Sequence, residues 1–140
     1  MGKSPRVALL VDGPNVLRSE FDVDLDAIRE SASDAGHVTL TRVYLDEHAT
    51  PGLIKAAEAH GYEVIITSGD VDVKLAIDAM ELVGTANWDV LAIASRDADF
   101  KPLLERAAYH GLRTLAIAPG HGGRSEALVQ TADEAIVLDS

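Results

Sequence analysis

Short apolar runs alternate along the whole chain with segments that have helical spacing. The clearest run covers residues 89–94, and a helical pattern with Phe100, Leu103 and Leu104 on one face follows it. A run of this length is too short for a buried helix and is typical of a strand in a parallel sheet covered on both faces. The other predicted strands cover residues 7–11, 38–45, 63–67, 113–118 and 134–138.

Helical segments fill the stretches between these strands. Asp24 and Thr50 are predicted N-caps, because each precedes an apolar pattern of helical period, and Pro51 fits the first turn that follows. Residues 12–15 are predicted to form a turn. Strands that alternate with helices indicate an α/β fold with a mainly parallel sheet. The predicted helices cover residues 25–35, 51–60, 72–83, 100–110 and 126–131, and glycines at 36, 61, 84 and 111 end four of them.

The bulk composition limits the possible functions. The chain has 140 residues, which is enough for one domain, residues 1–140, with a real core. Its net charge of −11 argues against a broad basic surface for nucleic acid or membrane, although a metal in an acidic pocket would change the local sign. The absence of Cys excludes disulfides, thiolate catalysis and Cys-ligated zinc. The first apolar run is too short for a signal peptide or a membrane span, so we expect a cytoplasmic protein.

Aspartates follow three of the predicted strands. They are Asp12 after the first strand, Asp70 and Asp72 after the third, and Asp97 and Asp99 after the fourth. Right-handed crossovers place these strand ends on one edge of the sheet, where open α/β sheets bind ligands. Carboxylates packed together repel each other unless a cation neutralises them, and oxygen donors suit Mg²⁺ or Mn²⁺ rather than zinc. Such a site is suited to phosphodiester hydrolysis.

Simpler roles exist for most of these polar residues. Either Asp97 or Asp99 could cap the helix that follows, and capping is the favoured role of Asp70. Asp78 could face the edge of the pocket or lie on a solvated helix face. Asn15 could be an ordinary turn residue, or its carboxamide could orient a ligand.

Basic residues near the same edge are candidates for contacts with substrate phosphates, although an ordinary surface charge is the favoured role of each. The glycine-rich loop at residues 120–123 resembles a phosphate-binding loop, but we interpret it as a flexible turn, because a lone glycine cluster after a strand is a weak signal. The candidate basic residues are Arg96, Lys74, Lys101 and Arg124.

Four short motifs, in order, resemble those of the NYN domains, which belong to the PIN-like nuclease superfamily. The first is D-x-x-N at residues 12–15, and the second is the acidic helix start at residues 69–78. The third is S-x-D-x-D-F at residues 95–100, and the last is A-D-E-x-I at residues 132–136. Arg96 and the Gly-Asp-Val-Asp-Val sequence of the second motif are similar to the archaeal branch of the family.

The resemblance implies a three-layer α/β/α, Rossmann-like fold and a ribonuclease that depends on Mg²⁺ or Mn²⁺. By motif position, the acidic set would be Asp12, Asp72, Asp97 and Asp99, supported by Asn15. Two positions depart from the family pattern. Many NYN sequences have Gly at the position of Arg96 and a basic residue at the position of Gly69.

Two hypotheses of function follow. The first is a metal-dependent ribonuclease, an endonuclease acting on single-stranded RNA, with a homodimer as a possible assembly. In it, Asp12, Asp97 and Asp99 would hold the metal directly or through water, and Asp72 would complete the metal site. The second is a catalytically inactive regulatory module that binds RNA or metal. A phosphatase of the haloacid-dehalogenase type is a weaker alternative, because it requires a second Asp where this chain has Pro14, and a Toprim-type site requires Glu in place of Asp12.

Overall fold

The computed structural model describes residues 4–17, 24–85, 87–119 and 126–138. No helix within these ranges has the length and apolar character needed to cross a bilayer. The elements in chain order are β1 (Arg6–Asp12), α1 (Gly13–Val16), α2 (Leu25–Ser33), β2 (His37–Asp46), α3 (Pro51–Ala59), β3 (Glu63–Thr67), α4 (Val71–Val83), β4 (Val90–Ala94), a 3-10 turn (Ala98–Phe100), α5 (Lys101–Tyr109), β5 (Arg113–Pro119), α6 (Glu126–Thr131) and β6 (Glu134–Leu138).

The six described strands form one parallel sheet in the order β3-β2-β1-β4-β5-β6. This confirms the predicted α/β class, and the sheet is parallel throughout rather than mainly parallel. β1 lies between β2 and β4, and Val11 of β1 is in register with Ala94 of β4. The strand order reverses at this pair, so a crevice opens beyond their carboxyl ends, where ligands of such sheets bind.

Alternate residues of the central strands fill two separate cores, one on each face of the sheet. In β1, Val7, Leu9 and Val11 belong to one core and Leu10 belongs to the other. The first core is closed by α2 and α3, and the second by α4, α5 and α6. Each fully buried Leu or Ile contributes roughly 1.5–3 kcal/mol. The result is the three-layer arrangement, with the acidic edge of the sheet held between two rigid layers.

The segment after β1 departs from the prediction. Residues 12–15 do not form a simple turn, because Gly13–Val16 is a short helix with Pro14 in its first turn. A Cβ atom on Gly13 would lie 2.4 Å from the Leu45 side chain and 2.6 Å from the carbonyl oxygen of Tyr44. Glycine therefore follows Asp12 because α1 packs directly against β2.

The predicted helix ends are largely confirmed. Asp24 accepts a hydrogen bond from the backbone N–H of Ala27 at 2.7 Å, and Thr50 accepts one from Leu53 at 3.1 Å. Gly61 ends α3 with φ +85°, a left-handed conformation that glycine adopts without steric cost. The helix predicted from residue 100 begins instead with the 3-10 turn, which brings Asp97 and Asp99 close to β4.

Candidate metal centre

Three carboxylates meet beyond the carboxyl end of β4. Asp72 comes from the first turn of α4, and Asp97 and Asp99 come from the loop and the 3-10 turn after β4. One oxygen of each lies within 4.8 Å of the other two. Asp72 and Asp97 are half-buried and Asp99 is exposed, so the cluster is open to solvent on one side. A set of oxygen donors alone is compatible with a hard divalent cation.

The Asp97 side chain also caps the 3-10 turn. Its Oδ1 atom accepts a hydrogen bond from the backbone N–H of Asp99 at 2.9 Å. The capping bond fixes the Asp97 carboxyl and the Asp99 backbone relative to each other. Capping and membership of the acidic cluster are therefore compatible roles of the same side chain.

Asp12 lies beside this cluster at the end of β1 and is only 3% exposed. Its Oδ2 atom accepts hydrogen bonds from Asn15 Nδ2 at 2.8 Å and from Ser95 Oγ at 3.2 Å. Burial raises the pKa of the Asp12 carboxyl above its ordinary value, against the two hydrogen bonds, which lower it. The charges of Asp97 and Asp72 raise the pKa further. Asp12 is therefore electrostatically coupled to the cluster, although it is not one of the three clustered carboxylates.

Ser95 connects the two ends of this site and was missed as a site residue by the sequence analysis. It is fully buried, and its Oγ accepts a hydrogen bond from the backbone N–H of Asp97 at 3.0 Å while donating to Asp12. Asn15 Nδ2 lies 3.5 Å from the same oxygen. The available signal was a hydroxyl residue directly after a fully apolar strand and two positions before an aspartate.

Asp12, Asp72 and Asp97 line a pocket of about 300 Å³, and Asp99 is not part of its described lining. Asp46, the last residue of β2, also lines it and was missed by the sequence analysis, although it ends a strand as Asp12 does. No Lys, Arg or His is among the described lining residues, so the pocket is strongly negative. The lining consists of Asp12, Pro14, Asn15, Asp46, Gly69, Asp70, Val71, Asp72 and Asp97.

Two interpretations of acidic residues are corrected by the structure. Asp70 stands at the N-cap position of α4, but its side chain makes no capping hydrogen bond and lines the pocket instead. Asp78 neither borders the pocket nor lies on a solvated face, because it is only 9% exposed. It accepts a hydrogen bond from the Tyr44 hydroxyl at 2.8 Å and pairs with Lys74 at 3.1 Å. Burial and this hydrogen bond both raise the pKa of the Tyr44 hydroxyl.

The candidate basic residues differ in their partners and in their exposure. Lys74 is paired with Asp78, and Arg96 Nε donates to the backbone oxygen of Asn15 at 3.1 Å. Lys101 is exposed at the first position of α5. Arg124 and the glycine loop at residues 120–123 lie outside the described residues. A role of these residues in substrate binding stays a prediction.

The closing A-D-E-x-I motif lies at the amino ends of β5 and β6, opposite the carboxyl edge that carries the acidic pocket. Asp133 Oδ2 accepts a hydrogen bond from the backbone N–H of Thr114 at 2.9 Å, and the Asp133 N–H donates to Thr114 Oγ1 at 2.9 Å. Thr114 lies near the start of β5, and Asp133 directly precedes β6. This motif therefore holds the last strand in register and does not contribute to the acidic pocket.

The fold and the carboxylate cluster define an α/β domain whose switch point carries a candidate metal site. A family model for the NYN domain matches residues 6–139, and the chain belongs to this family, which is part of the PIN-like superfamily. The family match and the aspartate cluster together support nuclease-type chemistry, and the NYN family is typically one of hydrolases.

Known proteins that are similar to this chain include a curated relative and a solved structure. Uncharacterized protein MJ0482 of Methanocaldococcus jannaschii is 47% identical over 133 residues, which are 95% of this chain and 55% of that protein. The chain thus spans about half the length of this curated relative. A crystal structure of a protein of unknown function, VPA0982 from Vibrio parahaemolyticus, has a TM-score of 0.83 at 22% identity. The matched region covers 100% of this chain and 96% of the Vibrio protein chain, and the likeness supports the fold.

Proposed function

We propose that the protein is a ribonuclease that cleaves single-stranded RNA internally with the help of Mg²⁺ or Mn²⁺. The observation that carries this proposal is the convergence of the Asp72, Asp97 and Asp99 oxygens at the carboxyl edge of β4. NYN family membership supports the nuclease class. A phosphate of a single strand enters a recess more easily than one of a duplex, because the backbone and bases of a single strand are free to splay apart.

The charges of the pocket explain why a cation is needed. Two unit charges about 5 Å apart repel by roughly 1 kcal/mol in water and by about 3 kcal/mol at an effective dielectric constant of 20. An RNA phosphate would meet this repulsion from several carboxylates at once, and no basic side chain among the described lining residues offsets it. A bound divalent cation supplies positive charge to the phosphate oxygens and lowers the pKa of water.

Each site residue has a role that follows from its surroundings. Asp72, Asp97 and Asp99 are the proposed ligands because one oxygen of each lies within 4.8 Å of the other two. Asp12 is buried beside them and shielded from bulk solvent. Its negative charge favours a cation at the neighbouring cluster. Asn15 donates its amide to Asp12 and so holds that carboxylate in one orientation.

The second candidate function is a non-catalytic module that binds RNA or metal. It is favoured by the net charge of −11 and by the absence of basic residues from the described lining of the pocket. Such a module would keep the carboxylate cluster but would not turn over its ligand. The two candidates therefore predict the same metal binding and different fates of the RNA.

The test is cleavage of end-labelled single-stranded RNA by the parent protein and by Asp97→Asn, with Mn²⁺ and with EDTA. Asparagine keeps an oxygen that accepts the capping bond from Asp99 but removes the charge, so we expect an intact fold and a loss of cleavage of at least 100-fold. Asp34→Asn, at the exposed end of α2, is the matched control. Parental cleavage by Asp97→Asn would refute the assigned site, and bound but intact RNA with the parent would favour the non-catalytic module.

A further inference from the structure

A second recess adjoins the acidic pocket and has a different character. It has a volume of about 200 Å³ and lies between α1, the end of β2 and the start of α3. Pro14 and Asp46 line both recesses, so the two recesses are adjacent. We refer to the second recess as the leucine groove, after Leu17, Leu45 and Leu53, which line it.

The chemistry of the leucine groove differs from that of the pocket. Leu17 and Leu53 offer an apolar surface, and His48 and Asp46 are the ionisable residues of its described lining. Lys and Arg are absent from the described lining, so a phosphate has no partner there. A neutral, planar group with polar edges suits such a lining, because its faces contact leucine and imidazole while its N–H groups reach a carboxylate.

We infer that the leucine groove binds a nucleobase of the RNA whose adjacent phosphate lies at the carboxylate cluster. Bases stack on aromatic side chains such as histidine, and a carboxylate accepts hydrogen bonds from base N–H groups. The inference rests on the proposed function, since the acidic pocket that adjoins the groove through Pro14 and Asp46 identifies the occupant. A strand with a phosphate beside Asp97 would carry a neighbouring base past Pro14, which lines both the acidic pocket and the groove.

The segment that forms the wall of the groove is held in place by its own hydrogen bonds. Asp46 Oδ1 accepts from the backbone N–H of His48 at 2.9 Å, and the Asp46 carbonyl accepts from Ala49 at 3.1 Å. Thr50 then caps α3, which fixes the backbone that carries Leu53. A preformed wall reduces the entropy lost on binding, so even one base would contribute measurably to affinity.

The first experiment uses a set of RNA oligonucleotides in which one nucleotide at a time lacks its base. With the parent protein and Mn²⁺, we expect one position next to the cleaved bond at which base removal lowers kcat/KM about 5- to 100-fold. In His48→Ala, the logarithm of this fold-change in kcat/KM should be less than half of its value in the parent protein. His110→Ala, which alters an exposed histidine at the end of α5, should keep the full penalty. Equal penalties in all three proteins, or no penalty at any position, would overturn the inference.

The second experiment does not require cleavage. ¹⁵N-labelled protein with Mg²⁺ is titrated with cytidine 5′-monophosphate and, separately, with ribose 5-phosphate. The nucleotide alone should shift the amide signals of Leu17, His48 and Leu53, and the sugar phosphate should leave them unchanged. Identical shifts for both compounds, or none at these residues, would refute the groove as a base site. Nucleotide-specific shifts in a protein that never cleaves RNA would support the groove and refute the ribonuclease.

Discussion

Ser95 donates its hydroxyl to Asp12 across the boundary between β4 and β1, with 3.2 Å between Oγ and Oδ2. The same oxygen accepts the backbone N–H of Asp97 at 3.0 Å. One buried hydroxyl therefore links two acidic residues that are 85 positions apart in the chain. This link lies where the strand order reverses, and it holds the Asp12 carboxyl at a fixed distance from the Asp97 backbone.

Replacement of Ser95 by alanine should weaken both the fold and the site. The Asp97 N–H would lose its acceptor in a partly buried position, which costs about 1–3 kcal/mol. Urea denaturation measures this loss of unfolding free energy. Ser31→Ala, which removes one hydroxyl bond to the α2 backbone, is the control and should cost less. An unchanged unfolding free energy in Ser95→Ala would contradict the role assigned to the hydroxyl.

The raised pKa of Asp12 predicts a pH-dependent cost of keeping this carboxyl buried. The unfolded chain releases the proton near the ordinary value of 3.8, and the folded chain releases it at higher pH because burial disfavours the charge. The contribution of Asp12 to stability is therefore full below 3.8 and is lost as the pH rises through the folded-state pKa. In metal-free protein, Asp12→Asn should unfold at a higher temperature than the parent at pH 7.

The control for this prediction is a comparison of the two proteins at several pH values. The advantage of Asp12→Asn should shrink as the pH falls toward 4, because the parental carboxyl in the folded state then takes up a proton and its buried charge is removed. Thermal unfolding followed by circular dichroism at several pH values measures the difference. A constant difference between pH 4 and pH 7, or a lower melting temperature of the variant at pH 7, would show that burial of the charge carries no cost.

Metal binding should stabilise the fold through the three clustered carboxylates. A ligand at 100 times its Kd stabilises the native state by about 2.7 kcal/mol, which for a domain of this size raises Tm by roughly 5–10 °C. We expect this rise with Mn²⁺ and not with NaCl of equal ionic strength. Asp99→Asn should lose most of it, since its carboxylate is one of the three. The parental rise in that variant would exclude Asp99 as a ligand.

Much of the fold could be predicted from the sequence because its signals are local. Short apolar runs and helix caps such as Asp24 and Thr50 are encoded within a few residues. The 3-2-1-4-5-6 strand order was not predicted, because it depends on which strands pair across long distances in the chain. The α1 helix was missed for a similar reason, since the close approach of Gly13 to β2 is a tertiary contact.

The site was only partly accessible from the sequence. The rule that acids follow buried strands found Asp97 and Asp99, but Asp46 was overlooked and Asp78 was misread, because its burial against Tyr44 depends on packing between α4 and β2. The role of Ser95 required knowledge that β1 and β4 are neighbours. A partner lies outside a single chain, so the predicted RNA substrate and homodimer stay predictions.

Asp133 provides a test that separates a structural motif from the site. Asp133→Ala removes the acceptor for the Thr114 backbone N–H, which we expect to destabilise the protein by about 1–2 kcal/mol because β5 and β6 lose a link at their amino ends. RNA cleavage per folded molecule should remain within about twofold of the parent, because the acidic pocket lies at the opposite edge of the sheet. Urea denaturation and cleavage assays at a temperature well below Tm measure the two effects separately. A large loss of cleavage in fully folded Asp133→Ala would show that the closing motif contributes to the reaction.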